Sequence, residues 1–149
     1  MSDGLPMPRP AEPFVWLLDV PPDQLDHAWA VAEPWLAGSI ARGGSDLTLA
    51  DLRGKVDAGE AKLLMIQPDG RNPVAAGVME VRDYEDGRRV LWIQAVGGSE
   101  RHACVRVLPI IEDGARKQGC HTVEFAGRPG WAALLPDYRV QAQYTKDLR

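Results

Sequence analysis

The chain has 149 residues, 45% of them hydrophobic, with 17 Lys and Arg against 21 Asp and Glu and a formal net charge of -4. That length suits one domain with a continuous core, and the acidic balance argues against a general binder of nucleic-acid backbones, which needs clustered Lys and Arg. No apolar run approaches the roughly 20 residues of a membrane helix, and the N-terminus lacks the charged start and apolar core of a signal peptide; no membrane or nucleic-acid partner is expected.

Residues 1–13 carry Pro6, Pro8, Pro10 and Pro13, which remove backbone donors and favour extended conformations. They read as a proline-rich arm before a single domain over 14–149. A short apolar run over 14–20, closed by Pro21 and Pro22, suits a first strand. Asp23 is placed to cap a helix carrying Leu25, Ala28, Trp29 and Ala32 at helical spacing, with Pro34 bending or restarting it. After the break at Gly43, Gly44 and Ser45, either Asp46 or Thr48 can start a second helix through Leu49, Leu52 and Val56.

The period then changes. Strands are predicted over 62–67 and 74–82, joined by the turn residues Pro68, Asp69 and Gly70 into a hairpin, and a third over 89–96 whose near-continuous apolar character predicts burial on both faces. Gly97 and Gly98 read as a turn, and Ser99 as the N-cap of a helix over 99–118. Cys104, Leu108, Ile111 and Ala115 share one face of it. Pro109 removes a helical hydrogen bond, so a kink near Val105 is expected. Gly119 stops the helix, a strand follows over 120–126, and the cluster Gly127-Arg128-Pro129-Gly130-Trp131 leads to one helical turn over 131–135 and a last strand over 140–145.

Two helices, a three-stranded meander, a long helix, a strand, a short helix and a last strand follow the element order of the GNAT family of N-acetyltransferases. The run from Ile111 to Cys120, the Gly127–Trp131 cluster and the closing Tyr144-Thr145-Lys146-Asp147-Leu148 resemble GNAT-like proteins of bacteriophages and prophages, including relatives associated with virion morphogenesis. The resemblance implies an α+β (mixed α/β) fold with a central, mostly antiparallel sheet flanked by helices.

In active enzymes of that family, the turn before the long helix resembles Gln/Arg-x-x-Gly-x-Gly/Ala, and its amides hold the pyrophosphate of acetyl-CoA. Small residues let the backbone approach phosphates, and a helix N-terminus supplies unpaired donors. The corresponding residues here are Gln94, Val96, Gly97, Gly98, Ser99 and Arg101. Ser99 stands at the second glycine position, and Glu100 puts a negative charge in the first turn, where it repels a pyrophosphate.

For catalysis, Glu80 or Glu124 is the candidate base and Tyr138 or Tyr144 the candidate acid, on the family's use of a late tyrosine. Arg128 and Trp131 form a candidate binding turn, with a core-filling Trp131 as the plainer alternative. His102, Cys104, Cys120 and His121 are not expected to bind metal: His-x-Cys on a helix points its ligands apart, and neighbouring strand residues face opposite ways. The cysteines read as small thiols in a reducing compartment.

The residues and the resemblance together describe a GNAT-fold phage or prophage protein with a degenerate acetyl-CoA loop and no cofactor. Its expected role is virion assembly or binding, with phage structural proteins or a second copy as partner, in the host cytoplasm or on the virion. The alternative is an acyl-CoA-dependent N-acetyltransferase with an atypical phosphate loop.

Overall fold

The computed structural model describes residues 14–43, 46–127, 130–142 and 144–148. In chain order they form β1 (Val15–Asp19), a 3-10 turn (Pro22–Gln24), α1 (Leu25–Ala41), α2 (Leu49–Asp57), β2 (Lys62–Pro68), β3 (Ala75–Asp83), β4 (Arg89–Gly98), α3 (Arg101–Lys117), β5 (Thr122–Phe125) and α4 (Gly130–Leu134). The strands make one sheet in the order β1-β2-β3-β4-β5. The first four pair antiparallel, and β5 joins β4 in parallel, because α3 carries the chain back across the sheet between them.

Each face of the sheet buries its own core. Ala75, Met79, Leu91 and Ile93 point toward α3, where they meet Cys104, Val107, Leu108, Ile111 and Ala115. Leu63, Met65, Ala76, Val78 and Ala95 point the other way, against Leu25, Trp29, Ala32 and Leu36 of α1 and Leu52 of α2. Alternation along β2 to β4 therefore feeds both cores, which explains why β4 reads as a nearly continuous apolar run. Among the described residues, no helix is long and apolar enough to cross a membrane.

The first helix starts one residue later than Asp23 as its cap suggests. Pro22–Gln24 form a 3-10 turn, and Gln24 occupies the N-cap without a side-chain bond. Helix α1 runs through Pro34 and α3 through the exposed Pro109 as single helices, so each proline stands within a helix and not at its end. Helix α3 begins at Arg101, with Glu100 and not Ser99 at its N-cap. Gly97 and Gly98 belong to β4 and not to a turn.

No strand forms over 139–142 or 144–148, against the strand expected over 140–145. Val140 is 73% and Tyr144 94% exposed, so this alternation has no buried face to lie on, and propensity alone does not hold a strand.

Thr48, in contrast, caps α2 as its sequence suggests. Its hydroxyl accepts from the Asp51 N–H at 3.1 Å while the Asp51 carboxylate accepts from the Thr48 N–H at 3.1 Å. Thr48→Ala is expected to cost about 1 kcal/mol of stability, measured by urea unfolding, with the sheet unchanged by circular dichroism.

Candidate functional site

Strand β4 is longer than its neighbour β5, and the excess opens a cleft. The two pair from Val90↔Thr122 to Ile93↔Phe125, after which β5 ends and β4 continues to Gly98. One residue beyond the last pair lies a bulge. Val78 pairs with Ala95 and Met79 with Ile93, which leaves Gln94 as the extra residue of β4. A bulge bends its strand and ends regular pairing, so the strands part at this point around a cavity of about 260 Å³.

One wall is the end of β4 with Ser99 and Arg101, and the other is Phe125 to Gly127 with Trp131; Ser39 and Arg42 close it from α1. Arg42 and Arg101 bring two cations to this cleft, and neither has an acidic partner among the described residues. The start of α3 lies beside them, with Arg101 and Cys104 on the cleft, and a helix N-terminus favours negative charge.

The candidate phosphate loop divides on inspection. A Cβ on Gly97 would lie 2.4 Å from the Trp35 carbonyl oxygen, and one on Gly98 would lie 2.3 Å from Ala75 Cβ and 2.4 Å from the Val74 carbonyl oxygen. Both glycines are small because α1 and β3 press on them. Their lack of a side chain is thus used by packing and is no evidence for a phosphate cradle. Ser99 spends its amide on the Val74 carbonyl at 2.8 Å, with its hydroxyl donating to the same oxygen at 3.3 Å.

Glu100 is turned away. Its carboxylate accepts two bonds from the Arg71 guanidinium in the β2–β3 turn, one from Nη1 at 3.1 Å and one from Nη2. This bonding to Arg71 holds the carboxyl below its ordinary pKa, and Glu100 does not line the cavity. The charge that opposes a phosphate in the sequence is therefore neutralised by a residue 29 positions earlier. Arg71 and Arg42 carry no spacing signal, and only the hairpin and the end of α1 bring them here.

The catalytic candidates do not converge. Glu80 points to the α1/α2 face with its side chain 8% exposed, held by Lys55 Nζ at 3.2 Å, Arg82 Nη2 at 3.2 Å and Gln94 Nε2. Burial by itself pushes this carboxyl up, but the hydrogen bonds from Gln94, Lys55 and Arg82 outweigh it and hold the group below its ordinary pKa. A base so held is weak. Gln94 Oε1 is left without a partner.

Tyr138 packs against Phe125, ring centroids 6.0 Å apart, and donates its hydroxyl to Glu112 at 2.7 Å. Burial, then Glu112, push its pKa up. Tyr144 stands in solvent, and Glu124 accepts from the Thr122 hydroxyl at 2.7 Å.

Trp131 meets Phe125 edge-on at 6.2 Å and forms part of the cleft wall, while Arg128 lies outside the described residues. Cys104 also borders the cleft, but burial pushes its thiol up to about 11, which keeps it protonated and unreactive at neutral pH. Cys104 and Cys120 are both free thiols. His121 Nδ1 accepts from the Arg89 N–H at 3.2 Å, and His102 is exposed. No group of three or more potential metal ligands comes together among the described residues.

The arrangement suits an extended ligand with an anionic end. The β4 edge beyond Ile93 can bond an amide-bearing chain in the manner of an added strand, and Arg42 and Arg101 supply charge. It is not equipped in the same way for moving protons, since the described candidate acids and bases are bound to other partners or stand in solvent.

No protein-family profile matches this sequence, and no curated protein matches it. Solved structures do match in shape. A probable acetyltransferase superposes with a TM-score of 0.65 at 10% identity, over 90% of this chain and 98% of its own. Glucosamine-6-phosphate N-acetyltransferase from Arabidopsis thaliana gives 0.61 at 10% identity, over 91% and 99%. A predicted acetyltransferase from Clostridium acetobutylicum, solved with acetyl-CoA, gives 0.61 at 9% identity, over 91% and 96%. The fold is GNAT-like, as the element order implied. At such identities the likeness concerns the fold.

Proposed function

We propose that this chain is a GNAT-fold binding protein of the phage or prophage type, acting in virion assembly and not in acetyl transfer, whose cleft holds an extended anionic ligand of the acyl-CoA kind. The observation that carries the absence of acetyl transfer in this reading is the position of Glu80. It lies on the α1/α2 face, locked by Lys55, Arg82 and Gln94, and so cannot accept a proton without breaking a buried ion-pair network.

The donor set of the cleft fits such a ligand. Acetyl-CoA would place its phosphates toward Arg42, Arg101 and the start of α3, and its amide-bearing arm along the free edge of β4. Bound there, it would supply an activated acyl group. The chain's part is to orient the arm between β4 and β5 and to exclude water with Phe125 and Trp131.

The second reading, an acyl-CoA-dependent N-acetyltransferase, is favoured by the same open cleft together with the neutralisation of Glu100 by Arg71. Two measurements separate them. Calorimetry with acetyl-CoA is expected to give micromolar binding that weakens about tenfold in Arg101→Ala, as loss of a charged hydrogen bond implies. Turnover against a panel of primary amines is expected to stay at the uncatalysed rate. Amine acetylation that falls in Glu80→Gln would establish the enzyme reading in place of the binding one. For the assembly role, the protein is expected to co-purify with portal or other virion components, and its absence from assembled particles and their precursors would remove that role.

A further inference from the structure

We infer that Arg71 is a positioning residue for the anionic end of the cleft: it draws the Glu100 carboxylate out of the ligand's path, and so decides whether a phosphorylated ligand is accepted. The inference rests on the cleft-binding reading above and concerns how that site selects charge.

Glu100 is the last residue before α3, in extended conformation, and its side chain caps nothing on the helix. An unpaired carboxylate at this position has two favourable destinations. One is the positive start of α3, where acidic side chains are stabilised. The other is the guanidinium of Arg101, which borders the cavity. Either would set a negative charge where a ligand's phosphate has to lie. The paired geometry takes neither course, because Arg71 holds both carboxylate oxygens.

Arg71 is itself fastened. Its N–H donates to the Pro68 carbonyl at 3.1 Å, and its own carbonyl accepts from Gln67 Nε2 at 2.6 Å. Three residues on, the Val74 carbonyl takes the Ser99 amide. The β2–β3 turn is thereby tied to the cleft wall, and neither the Arg71 guanidinium nor the Glu100 carboxylate it holds lines the cavity. A planar, two-pronged arginine suits this task because it satisfies both carboxylate oxygens in one plane; lysine would hold only one.

The test compares coenzyme A, which carries phosphates, with pantetheine, which has the same arm and none. Binding to the full chain is measured by calorimetry at low and high salt, with thermal unfolding as a check on the fold. Arg71→Ala is expected to weaken coenzyme A about fivefold at low salt, the size of an exposed charge pair, and to leave pantetheine unchanged. Glu100→Gln is expected to leave coenzyme A within about twofold of wild type, because Arg71 already holds that carboxylate out of the path. Arg71→Ala with Glu100→Gln is expected to return it to within about twofold of wild type.

A purely structural role for Arg71 would move both ligands alike and would not be rescued by Glu100→Gln, and that result would overturn the inference. Tighter binding of coenzyme A than of pantetheine that persists unchanged in Arg71→Ala would overturn it too while leaving the cleft reading intact. Failure of both to bind would bring down the cleft reading itself.

Discussion

Glu80→Ala is expected to lower the unfolding free energy by about 3 kcal/mol, the lower end of the range for removing one partner of a buried pair. The carboxylate is 8% exposed and serves three donors at once, Lys55, Arg82 and Gln94. Without it, two cations face each other beside an amide that already has one unsatisfied oxygen. Lys55 and Arg82 keep 29% and 35% of their side-chain exposure, so water relieves part of the loss, which sets the estimate at the lower end. Urea unfolding at neutral pH measures it, with an unchanged m-value showing that the same surface is exposed.

Glu80→Gln keeps the shape and removes the charge, and provides the pH control. Because the folded carboxyl is held below its unfolded value, its contribution is complete above the unfolded pKa of about 4.3 and is lost as pH falls through the folded value. Wild-type stability is therefore expected to fall more steeply than that of Glu80→Gln below about pH 4.3. Parallel curves would show that the Glu80 carboxyl titrates alike in the folded and unfolded chains.

Gly98→Val is expected to cost about 3 kcal/mol or more, or to prevent folding. The added Cβ would meet Ala75 Cβ at 2.3 Å, the Val74 oxygen at 2.4 Å and Ala75 Cα at 2.6 Å. Two of these three atoms are backbone in a hydrogen-bonded sheet, so relief requires β3 and β4 to separate. Gly77→Ala serves as a contrast in the same sheet. There the nearest atom is the end of the Met79 side chain at 3.1 Å, which can swing aside, and a change under about 1 kcal/mol is expected. Denaturant midpoints of the two variants make the comparison. A bulky residue at Gly98 would consequently abolish ligand binding by unfolding the protein, whatever the cleft holds, which is why Arg101→Ala is the informative variant for the site.

The elements of this fold were largely legible in the chain because they depend on local signals. Thr48, read with Asp46 as one of two possible starts, marks the beginning of α2, the Pro68-Asp69-Gly70 turn marks the hairpin, and the i, i+4, i+7 spacing of Cys104, Leu108 and Ile111 marks the buried face of α3. The misplaced last strand has the same cause seen in reverse. Residues 140–145 alternate like a strand, but pairing needs a neighbour, and no local pattern says whether one is in reach.

The site was legible only in part. Val96, Gly97, Gly98, Ser99, Arg101 and Trp131 all line one cleft. Their reasons are different from those the sequence suggests. Gly97 and Gly98 answer to Trp35 and Ala75, and Glu100 answers to Arg71. Glu80 proves to be the centre of an ion-pair network with Lys55 and Arg82.

By itself, then, the sequence determined periodicity, caps and turns, and through them the GNAT-like order of elements, since each of these is decided by atoms a few residues apart. The tertiary structure alone decided which charges cancel and where the sheet opens. Arg71 with Glu100 and Lys55 with Glu80 are 29 and 25 residues apart, and the bulge at Gln94 exists only in the register of β4 against β3. Coulomb and packing terms fall off with distance in space and not along the chain, so the electrostatic character of the cleft is set when the strands pair.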